Sequence, residues 1–220
     1  MYGKREDVRT HTYTYDDHGN RLQREVIATG ETLDYEWDAR NRLVGGVFTD
    51  GSGVVTKSLE YTYDMYNRRL SKKVFDGSGA LIRHERYVWD PTALDGKGNV
   101  VLDFVDGSDG NETVEGTELD KRYLWGAAVD QLLAQEDISS LTNPIPDDVV
   151  FALADSLGSI RDLVHYDTTS GTTVSKDHRK FETFGDAPAG DFTVSRYGHT
   201  AQEYDEDLDA YYSDHRWYDP

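Results

Sequence analysis

Apolar and polar positions alternate with a period of two along much of the chain, as in strands that bury one face. Tyr61 and Tyr63 alternate with Glu60, Thr62 and Asp64, and Leu22, Arg24, Val26 and Ala28 alternate with Arg21, Gln23 and Glu25. Leu70, Lys72 and Val74 repeat the pattern. Between such runs stand Thr29-Gly30, Asp50-Gly-Ser-Gly53 and Asp76-Gly-Ser-Gly79, turn chemistry in which glycine supplies positive φ. The pattern predicts a series of β-hairpins. One stretch departs from it: Val129, Leu132 and Leu133 have helical spacing, and Ala127 to Gln135 are fair helix formers, so propensity alone predicts a short helix there. At the other end, Tyr204 through the acidic turn Asp205–Asp209 to a continuous strand over Tyr211–Tyr218 reads as a final hairpin.

The alternation is organised in repeats. Tyr13-Thr-Tyr-Asp-Asp-His-Gly-Asn-Arg-Leu22 recurs as Tyr35-Glu-Trp-Asp-Ala-Arg-Asn-Arg-Leu43 and as Tyr61-Thr-Tyr-Asp-Met-Tyr-Asn-Arg-Arg-Leu70, with a shortened copy at Tyr87-Val-Trp-Asp90. The leading tyrosines are 22, 26 and 26 residues apart, and the two Asp-Gly-Ser-Gly segments keep the same interval of 26. Two markers with one period mean that each unit is one hairpin and that successive hairpins pair side by side. The motif residues are Tyr13, Tyr15 and Asp16; Tyr35, Trp37 and Asp38; Tyr61, Tyr63 and Asp64; and Tyr87, Trp89 and Asp90. The aromatic residues read as cross-strand packing. Each aspartate reads as a turn residue that bonds the backbone beyond it, with Gly19, Asn41 and Asn67 suited to a left-handed position.

Charge adds an asymmetry. The 220 residues carry 23 basic and 42 acidic side chains, a net of −19. Residues 1–90 hold 14 basic and 15 acidic side chains, whereas residues 91–220 hold 9 and 27. This balance argues against nucleic acid or anionic lipid as partners. The 26 aromatic residues argue against disorder. There is no cysteine, no apolar run long enough for a membrane helix, and no apolar signal segment at the start of the chain.

Candidate chemistry is sparse. The seven histidines include no His-x-x-x-His or Glu-x-x-His spacing, which gives zinc little support. The acidic stretch Asp103–Glu112 is the best cation candidate, with Asp106, Asp109 and Glu112 as calcium ligands. It fails the EF-hand pattern and reads more simply as a solvated hairpin loop. No serine occupies a Gly-x-Ser-x-Gly elbow, and Ser195-Arg-Tyr-Gly-His199 is not one. No catalytic residue and no cofactor are expected.

The repeat resembles the YD repeat of the Rhs family. Further segments are similar to that family's repeat-associated core, in its order: Arg122–Gly126, Val129–Ala134, Leu153–Leu163, Phe181–Gly185, Thr200–Asp205 and Tyr211–Pro220. Three departures are Thr200-Ala201 where the pattern has Thr-Gly, Glu206-Asp-Leu-Asp209 where it has Glu-Thr-Gly-Leu, and Ser156 where it has histidine. The resemblance implies an all-β fold: consecutive antiparallel hairpins in a curved ribbon, part of a cocoon-like shell. It also implies a strand, not a helix, over residues 129–135.

In that family the shell encloses a C-terminal toxin or effector that an aspartyl-protease-like self-cleavage releases. The self-cleavage region follows the core, so none of its residues is assigned here, and the expectation is a truncated, non-catalytic structural segment. The expected organisation is hairpin repeats over 1–90, an irregular β extension with acidic loops over 91–150, and the core segment over 151–220. The expected partners are the remainder of a parent Rhs polypeptide or its toxin, in a secreted or cell-surface setting. The alternative is a cell-surface adhesion module that stacks glycans on exposed aromatic side chains such as Trp37 and Trp89.

Overall fold

The computed structural model describes residues 10–90, 98–106, 113–128, 130–142, 148–187, 189–213 and 216–220. Among these the fold is all-β. Thirteen strands form one antiparallel sheet in sequence order: β1 (His11–Tyr15), β2 (Arg21–Val26), β3 (Thr32–Trp37), β4 (Leu43–Thr49), β5 (Val55–Tyr63), β6 (Arg69–Asp76), β7 (Leu81–Trp89), β8 (Val100–Asp106), β9 (Leu119–Trp125), β10 (Leu132–Asp137), β11 (Val149–Ala154), β12 (Ile160–Asp167) and β13 (Thr172–His178). The sheet is open, with β1 and β13 at its ends. A second sheet holds β14 (Glu203–Asp205), β15 (Ala210–Ser213) and β16 (Arg216–Tyr218). The described helical elements include the single 3-10 turns Gly116–Glu118 and His199–Ala201.

The chain divides into two compact units. The first holds β1–β6 and the start of β7, with Leu33, Leu43, Leu59, Tyr61 and Val74 buried. The second holds the end of β7, most of β8, and β9–β16, and its core gathers Tyr87, Val100, Tyr123, Leu132, Val150, Ile160, Leu163, Tyr197 and Ala201.

One local rule closes the hairpins. Asp16 Oδ1 accepts hydrogen bonds from the amides of His18 and Asn20, Asp38 Oδ1 from Arg40 and Arg42, and Asp50 Oδ1 from Ser52 and Val54. Asp76 and Asp155 bond the amides two and four residues on in the same way. In each turn the residue three beyond the aspartate is left-handed: Gly19, Asn41, Gly53, Gly79 and Gly158, with φ from 58° to 84°. The pairing shifts by one residue at the turns after β1, β3, β5 and β11, which is a type I turn followed by a left-handed bulge.

The two glycines of each Asp-Gly-Ser-Gly segment serve different ends. Gly53 and Gly79 have positive φ and open space where a Cβ would stand. Gly51 and Gly77 are needed for close approach, because a Cβ would lie 2.1 Å from the Thr29 carbonyl oxygen and 2.5 Å from that of Val55.

Two expectations meet a correction or a refinement. Residues 127–131 form no helix among those described; Gly126 N–H bonds the Gln131 carbonyl at 2.7 Å, and β10 then starts at Leu132. Leu133 is exposed between buried Leu132 and Ala134, as strand alternation requires, and the pairing shifts by one residue between those two. The spacing that imitates a helix is a strand with a bulge. The final hairpin is corrected: Tyr211–Tyr218 is not one strand but β15 and β16 folded on each other, with Tyr211↔Tyr218, Tyr212↔Trp217 and Ser213↔Arg216 paired. Tyr211 and Tyr212 are both buried, so the alternation that a single half-exposed strand requires is broken at its first two residues.

Candidate functional site

The repeat motif builds a ladder of staples in the first unit. In two repeats the second aromatic reaches back to the preceding one: Trp37 Nε1–H donates to the Arg21 carbonyl at 2.7 Å, and the Tyr63 hydroxyl donates to the Leu43 carbonyl at 2.7 Å. Trp125 does the same in the second unit, to the Val100 carbonyl at 2.7 Å. Arginines at the strand starts add a second tie. The Arg21 guanidinium lies 4.4 Å from the Tyr13 ring centroid and 5.8 Å from that of Tyr35. Arg42 pairs with Asp38, donates to the Asp64 carbonyl at 3.1 Å and covers the Tyr63 ring. Neighbouring turns also touch, since the Asn20 side-chain amide donates to Asn41 Oδ1 at 2.9 Å.

Hydrogen bonds hold Asp16, Asp38, Asp76 and Asp155 below the ordinary carboxylate pKa. On Asp76 the Ser78 hydroxyl is the largest influence, followed by the amides of Ala80 and Ser78. On Asp16, Asp38 and Asp155 partial desolvation is the largest single influence and works upward, but the bonds together outweigh it. Tyr13 and Tyr15 are exposed, Tyr35, Trp37, Trp89 and Asp90 half-buried, and Tyr61 and Tyr87 buried.

In the second unit two arginines fasten the irregular segment that follows β13. Arg179 is 1% exposed; its Nε donates to Asp177 at 2.5 Å, and its Nη atoms donate to the carbonyls of Tyr197 (2.5 Å), Asp191 (2.9 Å) and Ser195 (2.7 Å). Its guanidinium lies 4.6 Å from the Phe192 ring centroid. Gln135 on β10 adds a bond to the Val194 carbonyl at 2.7 Å, and Ile160 N–H bonds the Gly198 carbonyl at 3.0 Å. The segment passes through Thr200 and Ala201, both left-handed at φ 51° and 53°; Ala201 stands where the resembled pattern has glycine.

Arg196 is the second clasp. Its Nη2 donates to Asp103 Oδ1 at 2.7 Å, and its Nε lies 3.2 Å from Glu203 Oε1. Its guanidinium is 4.8 Å from the Tyr87 ring centroid and 5.5 Å from those of Tyr123 and Tyr197. The Tyr123 hydroxyl donates to Asp103 Oδ2 at 2.6 Å. Burial works against the guanidinium charge, but Asp103 and Glu203 more than offset it, so Arg196 stays charged.

Neither clasp arginine was singled out from the sequence. A usable signal was there: with only 9 basic against 27 acidic side chains after residue 90, a cation in an aromatic setting is a candidate for a buried carboxylate partner.

An open cavity of about 660 Å³ lies beside this segment, lined by His199, Thr200, Gln202, Tyr211, Ser213, Arg216, Trp217 and Tyr218. Ser195, fully buried, sits with its hydroxyl 3.4 Å from the Tyr197 amide. Of the calcium candidates, Asp106 ends β8 and is buried, whereas Asp109 and Glu112 lie outside the described residues. Among the described residues no three acidic or histidine side chains converge as metal ligands, and no helix is long and apolar enough to cross a membrane.

With this geometry in hand, comparison with known proteins gives a limited answer. No family model and no curated protein matches the chain. Among solved structures, it is similar to a chain of the Photorhabdus luminescens Tc holotoxin pore carrying a TccC3 mutation, at 14% identity and a TM-score of 0.55, over 94% of this chain and 11% of that one. What the two share is a fold. A chain of the TcdB2–TccC3 structure matches at 14% identity over 78% of this chain and 10% of that one, but its TM-score of 0.36 carries no argument. The chain thus spans about a tenth of the length of these solved chains.

Proposed function

We propose that the chain is a non-catalytic wall segment of a larger Rhs/YD-repeat polypeptide, secreted or displayed at the cell surface, whose β-shell encloses a C-terminal toxin or effector. The observation that carries this reading is the ladder. Trp37, Tyr63, Arg21 and Arg42 reach the neighbouring hairpin while the repeat aspartates close their own turns, as a wall that grows by adding hairpins requires. The arginine clasps fit the role of a closing segment, because they tie irregular chain down where a sheet alone would leave it loose. Fold likeness to the Tc holotoxin pore chain is consistent with a shell component, and the order of the core segments in the sequence supports the family.

The test is protease protection in the polypeptide that contains this segment, purified from its natural source. Under the proposal a C-terminal region survives protease until the shell is unfolded by denaturant. Digestion of every region downstream of this segment at the same rate in native and denatured samples would overturn it.

A further inference from the structure

We propose that Asp103 and Glu203, gathered around the single guanidinium of Arg196, form a buried proton-binding site that fills as the surroundings fall from neutral to mildly acidic pH. Asp103 is 2% exposed and Glu203 7% exposed, and both face one cation. Two buried carboxylates crowded on one positive charge repel each other, and a proton on one of them relieves that repulsion.

The surroundings name the proton's seat. From β9 the Tyr123 hydroxyl faces Asp103, from the irregular segment Arg196 and Tyr197, from β14 Glu203, and from β7 the Tyr87 ring lies against the same guanidinium. Lys121, paired across the strands with Asp103, bonds Asp137 at 2.6 Å, and Arg86 on β7 bonds Glu118 at 3.1 Å. Desolvation raises the Asp103 carboxyl to about 6, with the Glu203 charge adding to it and Arg196 and Tyr123 opposing. A proton on Asp103 Oδ2 requires the Tyr123 hydroxyl to turn its own proton away. Arg196 continues to donate to Oδ1, and the bond to Tyr123 reverses so that the carboxyl donates to the phenol oxygen.

The sign is the reverse of ordinary acid denaturation. A carboxyl whose folded pKa lies above its unfolded value binds more protons folded than unfolded, so its contribution grows as pH falls through about 6 and is complete below the unfolded value. This carboxyl therefore favours the folded state more in mild acid than at neutral pH.

Infrared titration of the intact chain, with aspartate side-chain carboxyls carbon-13 labelled, reads the site directly. The expected result is one carboxylic-acid band that appears with a midpoint near pH 6, well above the other aspartates, and that is lost in Asp103→Asn. In Glu203→Gln the same band is expected at a lower pH, a shift that a purely structural role would not produce. Urea titrations should show wild-type stability rising relative to Asp103→Asn between pH 7 and 5. Where Asp103→Asn does not fold, the wild-type and Glu203→Gln bands suffice. The absence of any aspartic-acid band above pH 5 in the folded wild type, or an unmoved midpoint in Glu203→Gln, overturns the proposal.

Discussion

Arg179→Met isolates the first clasp. The substitution keeps an apolar stem against Phe192 and removes every donor. The carbonyls of Ser195 and Tyr197, in residues 0% and 5% exposed, then have no guanidinium, at about 1–2 kcal/mol each. Asp177, with a side chain 6% exposed, loses its cation; breaking one partner of such a pair costs about 3–5 kcal/mol. Three effects reduce the sum. Water reaches the exposed Asp191, the Asp177 carboxylate keeps the Asp191 amide at 3.0 Å, and methionine is cheaper to bury than a charged guanidinium. The expected loss is therefore about 4 kcal/mol. At about 2–4 °C per kcal/mol for a chain of this length, that is a fall in Tm of about 8–16 °C.

The assay is urea unfolding followed by tryptophan fluorescence, joined to amide exchange. Exchange should accelerate at Gly198 and Tyr204, whose amides bond within the clasped segment, while β9 and β11 stay protected. A loss below about 1 kcal/mol with unchanged exchange at those amides would refute the reasoning, since it would mean the carbonyls are satisfied without the guanidinium.

The turns and staples give further outcomes. Gly79→Ala meets no atom, so only its φ of +83° matters, and it should cost about 1–2 kcal/mol in urea unfolding. Gly77→Ala should cost more, because its Cβ would stand 2.5 Å from a backbone oxygen that cannot move without its strand. Trp125→Phe strips the donor from the Val100 carbonyl in a residue 3% exposed; the expected loss is about 1–3 kcal/mol, measured the same way, with Trp37→Phe milder because its site is only half-buried. Asp16, Asp38, Asp76 and Asp155 set the acid limb. Their pKa values are depressed, so the folded state binds fewer protons, and the stability they add is present above the ordinary carboxylate value and lost as pH falls below it. Stability against pH, read on Trp37 for the first unit, should decline only below about pH 4.

The ladder was legible because its causes are local and repeated. A period of two and an aspartate with a left-handed residue three positions on each act within a few residues, and the motif recurs every 22 to 26 residues, so the chain alone determined the hairpins and their order. Local reading failed where the tertiary environment competes with it. Leu132, Leu133 and Ala134 carry a spacing that suits a helix or a bulged strand, and pairing with Trp125 and Leu124 selects the strand. Tyr211 and Tyr212 are buried together because the chain folds back on itself after Ser213. Gly51 and Gly77 look like ordinary turn glycines until the neighbouring strand's carbonyl is in place.

The clasps lie furthest from the sequence. Arg196 and Asp103 are 93 residues apart, and no pattern within either segment names the other. Their pairing follows from burial: once β8, β9 and β14 enclose that space, a charge there needs an opposite charge within reach, and only the folded chain supplies it.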